Sequence, residues 1–235
     1  MKLEILPDAD AVARSAATII AKEARAAVAA RDRFVMAVSG GTTPWQMLRV
    51  LSNEDVPWSG VHIVQVDERI APDGDTDRNL THLRESLLGQ VSLRAEQIHA
   101  MPVESPDLNT AAEQYAMTLK HIAGSPPVLD IVHLGLGPDG HTASLVPGDP
   151  VLGVDDRDVA VTSIYKGRRR MTLTYPILNR ARKVLWLATG IDKAEMVGRL
   201  YAGDTSIPAG RVQRKNALLL TDRGAAEQIH QVGKE

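Results

Sequence analysis

Four short apolar runs set the tightest constraint on this chain. Phe34–Val38, Val61–Val66, Leu129–Leu134 and Lys183–Ala188 each stop abruptly in a glycine-rich or polar loop, and helical stretches stand between them. Near-continuous apolar strands alternating with amphipathic helices predict an α/β fold: a doubly wound, mostly parallel, Rossmann-like sheet with helices on both faces. In such sheets ligands gather beyond the carboxyl ends of the strands. The loops after Val38, Val66, Leu134 and Ala188 therefore point to one edge as the working edge.

The remaining elements follow the same alternation. Helices are expected over Asp8–Arg31, from Thr43-Pro44 through Leu51, and over Asn79–Leu88, Asp107–Ile122, Asp192–Tyr201 and Asp222–Val232. Thr43 reads as a capping hydroxyl before a proline at the first helical position. Further strands are expected at Ile98–Met101, Asp158–Ile164 and Ala217–Leu220. No repeat and no low-complexity linker divides the 235 residues, so a single domain over 1–235 is expected.

Composition narrows the function. The net charge is −2, so no global basic field exists to hold a nucleic acid, and an anion must be met by a local cluster. Aromatic residues make up only 3%, too few for base-stacking platforms. There is no cysteine, which removes thiolate metal sites and thiol nucleophiles. No apolar run reaches the ~18–20 residues of a membrane span. The expectation is a soluble cytoplasmic protein without nucleic-acid or membrane partners, either a monomer or a small homo-oligomer.

Five segments carry chemistry. Ser39-Gly-Gly-Thr42 after a strand offers close backbone approach and hydroxyl donors at a helix N-terminus, which suits a phosphate. It is neither a Walker A loop nor Gly-x-Gly-x-x-Gly. Asp67-Glu-Arg69 places two carboxylates and a guanidinium at a strand end. The polar stretch Asp73–Asn79 is not a calcium loop, because Arg84 stands where the bidentate Glu belongs. Leu134-Gly-Leu-Gly-Pro-Asp-Gly-His-Thr-Ala-Ser-Leu145 presents Asp139 and His141 on a glycine loop. There an imidazole can move a proton at neutral pH and a carboxylate can fix its tautomer. Lys166-Gly-Arg-Arg-Arg170 and Lys193 supply cations suited to a phosphate dianion.

Taken together, Ser39–Pro44, Val66–Arg69, Leu134–Gly148, Arg170–Asn179, Thr189–Ala194 and Pro208-Ala209 resemble the 6-phosphogluconolactonase branch of the glucosamine-6-phosphate isomerase/6-phosphogluconolactonase superfamily. The resemblance runs through nearly the whole chain. It implies metal-free, cofactor-free hydrolysis of the sugar phosphate 6-phospho-D-glucono-1,5-lactone in the oxidative pentose phosphate pathway. His141 then matches the general base and Asp139 its acidic companion. Asp67 and Arg69 match the strand-end motif. Ser39, Gly40, Gly41, Thr42, Lys166, Arg170 and Lys193 match the phosphate region. The loop before Arg170 is shorter than the family's proline-containing one, which leaves open which of Lys166, Arg168, Arg169 and Arg170 meets phosphate. The oxyanion is assigned to either Arg69 or backbone N–H groups of the glycine loop. The deaminase branch carries a Glu where this chain has Val146 and an aromatic where it has Arg69. A non-catalytic sugar-phosphate sensor would not need Asp139 and His141.

Overall fold

The computed structural model describes residues 1–229. The chain runs β1 (Lys2–Leu6), α1 (Ala9–Arg31), β2 (Phe34–Val38), α2 (Thr42–Leu51), β3 (Val61–Gln65), β4 (Asp67–Arg69), α3 (Asn79–Leu83) and β5 (Ile98–His99). It continues through α4 (Leu108–Ala123), β6 (Ile131–Gly135), β7 (Val159–Val161), β8 (Arg170–Leu173), α5 (Tyr175–Arg180), β9 (Lys183–Ala188), α6 (Ala194–Ala202) and β10 (Ala217–Asp222). Seven strands form one sheet in the order β1-β10-β9-β6-β2-β3-β5, every neighbouring pair parallel. The doubly wound sheet expected from the strand–helix alternation is present.

Alternation along β2 shows how both faces are buried. Phe34, Met36 and Val38 pack with α1, α2 and α3, while Val35 and Ala37 pack with α4, α5 and α6. Helix α1 starts where Asp8 accepts a hydrogen bond from the Ala11 N–H (2.8 Å). It turns a stripe of alanines (Ala13, Ala16, Ala17, Ala21, Ala24) toward the sheet, and these short side chains permit close approach.

Strand order fixes where a ligand fits. From β2 the chain winds outward through β3 to β5, then returns to the other side of β2 as β6 and continues to β9 and β10, with the N-terminal β1 on the edge beyond β10. The order reverses between β2 and β6, and a crevice opens at such a switch point. The loops leaving β2 and β6, Ser39–Gly41 and Leu136–Leu145, flank it.

Several expectations change. Val61–Val66 is not followed by a loop: Val66 accepts from the Leu173 N–H (2.8 Å) and donates to the Val38 carbonyl (2.9 Å). It thereby ties the main sheet to a second, antiparallel sheet, β4-β8-β7; β7 lies within the strand expected over Asp158–Ile164, but β4 and β8, three and four residues long, were not expected. Thr43 is not the cap of α2; Gly41 is, and the Thr43 hydroxyl pairs with that of Thr189 (2.7 Å). β1 was not expected. Asn79–Leu88 splits into α3 and a π turn over Arg84–Leu88. Residues 223–229 form turns rather than the start of a helix, and the rest of that expected helix, 230–232, lies outside the described residues.

Two histidines, His133 buried and His99 half-buried, give the fold a pH dependence. His133 on β6 is fully buried, and burial pushes its pKa down to about 4. His99 is also lowered to about 4, by burial first and then by His62 and His121. Both groups stay neutral when folded but titrate near ~6.5 when unfolded. Their contribution is fully present above that value and is lost as pH falls toward about 4. Denaturant unfolding should show the fully buried His133 costing about 2 kcal/mol between about pH 7 and about pH 5, with a smaller cost from the solvent-screened His99; equal stability at the two pH values would contradict this.

Candidate active site

A cleft of about 500 Å³ opens at the switch point. Ser39, Gly40, Gly41, Thr42, Asp67, Arg69, His141, Arg170 and Lys193 all line it. Asp139 stands immediately behind His141. Lys166 does not line the cleft: it sits exposed at the tip of a tight turn with its Nζ 5.3 Å from the Tyr165 ring centroid. Arg168 pairs with Asp75 (3.1 Å) and Asp77 (2.9 Å), and Arg169 donates to the Thr162 carbonyl (3.2 Å). Of the four cations in that run, Arg170 alone lines the cleft.

The imidazole is held by its own loop. Gly137 N–H donates to the His141 carbonyl (2.8 Å) and Gly140 N–H to the Gly137 carbonyl (3.0 Å), which closes a tight turn. Within it, Asp139 Oδ1 lies 2.5 Å from His141 Nδ1 and 3.2 Å from its backbone N–H. Partial burial raises the Asp139 pKa, but hydrogen bonds from the His141 side chain and backbone and from Tyr165 outweigh it and hold the carboxyl below its ordinary value. Asp139 is therefore a carboxylate, which can only accept, so Nδ1 carries the proton and, in the neutral tautomer, Nε2 presents the lone pair. Among the described residues Nε2 has no protein partner. The ring lies over Gly137, where a Cβ would come within 2.1 Å of Nδ1.

The cations come from the small sheet. Its register sets Arg69 directly opposite Arg170. Like charges in opposed positions are destabilising, so an anion between them would relieve the pair. Arg69 donates to the Asp77 carbonyl (2.7 Å) and Asn79 Oδ1 (2.8 Å). Arg170, only 8% exposed, makes no side-chain hydrogen bond to protein among the described residues, and its Nε is buried without a partner. Burial lowers its pKa and the Asp67 carboxylate opposes that shift; a guanidinium stays charged regardless. Lys193 caps the start of α6, near Asp192 (3.2 Å).

Residues outside the sequence-derived site hold it together. Glu68, fully buried, accepts from the backbone N–H groups of Arg69, Asn79 and Leu80 (2.8 Å each). Asn79 in turn donates to Asp67 Oδ1 (3.2 Å) and its carbonyl (2.9 Å). Ser144 donates to Asp67 Oδ2 (2.6 Å) and is fully buried, so it is not a nucleophile. Tyr165 donates to Asp139 Oδ2 (3.0 Å). Asn79 at a helix start and an aromatic immediately before a run of cations were the available signals. No three His, Asp or Glu side chains converge as metal ligands among the described residues.

Comparison with known proteins agrees with this geometry. A family profile described as glucosamine-6-phosphate isomerases/6-phosphogluconolactonase matches residues 7–221. A protein of Mycobacterium tuberculosis named 6-phosphogluconolactonase is 37% identical over 241 residues, covering 97% of this chain and 98% of its own. One of Synechocystis with the same name is 36% identical over 211 residues, covering 86% and 88%. The crystal structure of the 6-phosphogluconolactonase of Thermotoga maritima superposes with a TM-score of 0.83 at 26% identity, covering 94% of this chain and 98% of that one.

Proposed function

Because the chain belongs to the glucosamine-6-phosphate isomerase/6-phosphogluconolactonase family, we propose that its cleft hydrolyses 6-phospho-D-glucono-1,5-lactone with His141 as the general base. Lactone hydrolysis in the pentose phosphate pathway is the activity; the proposal concerns how these residues perform it. One observation carries it: an imidazole whose Nε2 has no protein partner among the described residues shares a cleft with a nearly buried guanidinium that has none among them either.

The chemistry follows from that arrangement. Nε2 of His141 takes a proton from water as the water oxygen bonds to C1. The tetrahedral oxyanion needs a donor. The N–H groups of Gly137, Gly140 and His141 are already engaged, which supports Arg69 in that role. As the intermediate collapses, the bond from C1 to the ring oxygen breaks, and the imidazolium returns its proton to that oxygen. Arg170, Lys193 and the Ser39–Thr42 loop hold the phosphate and so place C1. Asp67 has both oxygens occupied and fits a positioning part rather than a proton-transferring one.

The deaminase reading needs a second proton-transferring side chain before Pro147, and Val146 there is buried and apolar. A coupled assay that generates the lactone with glucose 6-phosphate dehydrogenase tests the activity. Acid release should far exceed the spontaneous background, and a rate at background would reject it. In the same assay Arg170→Ala should raise KM roughly 10–100-fold with a smaller effect on kcat, as loss of charge-assisted bonds to phosphate dictates. An unchanged KM would remove Arg170 from the phosphate site.

A further inference from the structure

Between the base and the phosphate cations stands Tyr165, to which the reaction assigns nothing. It opens a tight hairpin turn in which Lys166 (φ 49°) and Gly167 (φ 80°) both take the left-handed conformation, and its N–H donates to the Arg168 carbonyl (2.9 Å). The ion pairs of Arg168 with Asp75 and Asp77 anchor that turn to the neighbouring loop. The Tyr165 hydroxyl donates to Asp139 Oδ2 (3.0 Å), while Oδ1 faces His141 Nδ1 (2.5 Å). Its ring meets the imidazole edge-on, with centroids 5.6 Å apart. The Arg170 guanidinium lies 5.1 Å from the centroid of the same ring.

We propose that Tyr165 is a positioning residue of this site: its hydroxyl locks the carboxylate that orients His141, and its ring is the platform that holds Arg170. The proposal rests on the reading of His141 as the base. A carboxylate bonded at one oxygen can rotate about its side chain; bonded at both, it offers Nδ1 a fixed acceptor. The negative face of an aromatic ring attracts a guanidinium, which offsets the repulsion from Arg69 across the small sheet. One side chain thus couples the two halves of the cleft. The charged groups facing it are Asp139 and His141 from the glycine loop, Lys166 from its own turn and Arg170 from β8. Asp67 and Arg69 of β4 and Asp77 lie behind Arg170.

Two variants separate the roles. Tyr165→Phe should lower kcat about tenfold and leave KM within about twofold. It should also move the acid limb of kcat/KM to higher pH, because the whole charge of Asp139 then faces the imidazolium. Tyr165→Leu should do the same and also raise KM about tenfold, as Arg170 loses its platform. A merely structural role would depress kcat at every pH with the limb in place. Proton NMR supplies a readout independent of turnover: the His141 Nδ1 proton, identified by its loss in His141→Ala, should shift in Tyr165→Phe. An unmoved resonance, or a kcat within about twofold of wild type with the limb unmoved, overturns the proposal. Retained turnover in His141→Ala would instead overturn the base assignment on which it rests.

Discussion

Replacing His141 with alanine is expected to lower kcat/KM for the lactone by about 10²–10⁴-fold, the range supplied by general base catalysis. The size follows from what the structure leaves in place. Gly137 and Gly140 close the loop through backbone bonds that do not involve the imidazole, and Arg170 and Lys193 belong to other elements. The variant should therefore fold and should bind 6-phosphogluconate as wild type does. Only the group proposed to take the proton from water is gone. Calorimetry for binding and the coupled assay for turnover separate the two effects. Turnover within tenfold of wild type would mean that another group activates the water.

The second large effect is expected at a residue with no chemistry of its own. Gly137 does not have a positive φ, so alanine fits its backbone. Its new methyl, however, would fall 2.1 Å from His141 Nδ1 and 2.2 Å from Cε1. The imidazole must swing away, and with it goes the bond to Asp139 Oδ1. Misplacement of a reacting group by about 1 Å can cost about 10²-fold, so kcat of Gly137→Ala should fall by about that factor with the thermal midpoint nearly unchanged. A variant with wild-type kcat would show that the ring position over Gly137 is not the productive one. Gly40, where a Cβ would meet Asn79 Oδ1 at 1.9 Å, sets up the corresponding conflict for the Arg69 side of the cleft.

Much of this was legible in the chain, and the illegible parts share a cause. The central strands announced themselves because each is buried on both faces and reads as an unbroken apolar run, as Phe34–Val38 does. Asp139 and His141 were legible because both lie on one short loop, where spacing along the chain approximates distance in space. The pairing of Arg69 with Arg170 was not, since it depends on the register of two strands about 100 positions apart. The second sheet stayed hidden for a related reason: Val159–Val161 lies within an expected strand, but Asp67–Arg69 and Arg170–Leu173 are too short to show a period, and their antiparallel pairing joins distant parts of the chain. Glu68 was legible only as one of two carboxylates at a strand end, and only the fold reveals that its carboxylate caps α3 and carries Asn79. Lys166 looked equivalent to Arg170, but the left-handed turn at Lys166 and Gly167 points it away from the cleft.

The proposed mechanism requires one spatial relation: the cations and the imidazole must grip opposite ends of the same sugar. A crystal structure of the protein with 6-phosphogluconate measures it directly. The phosphate should lie against Arg170, Lys193 and the Ser39–Thr42 loop, with the C1 carboxylate within hydrogen-bond reach of His141 Nε2. A product bound the other way round, with its phosphate at His141 and its carboxylate among the cations, would contradict it.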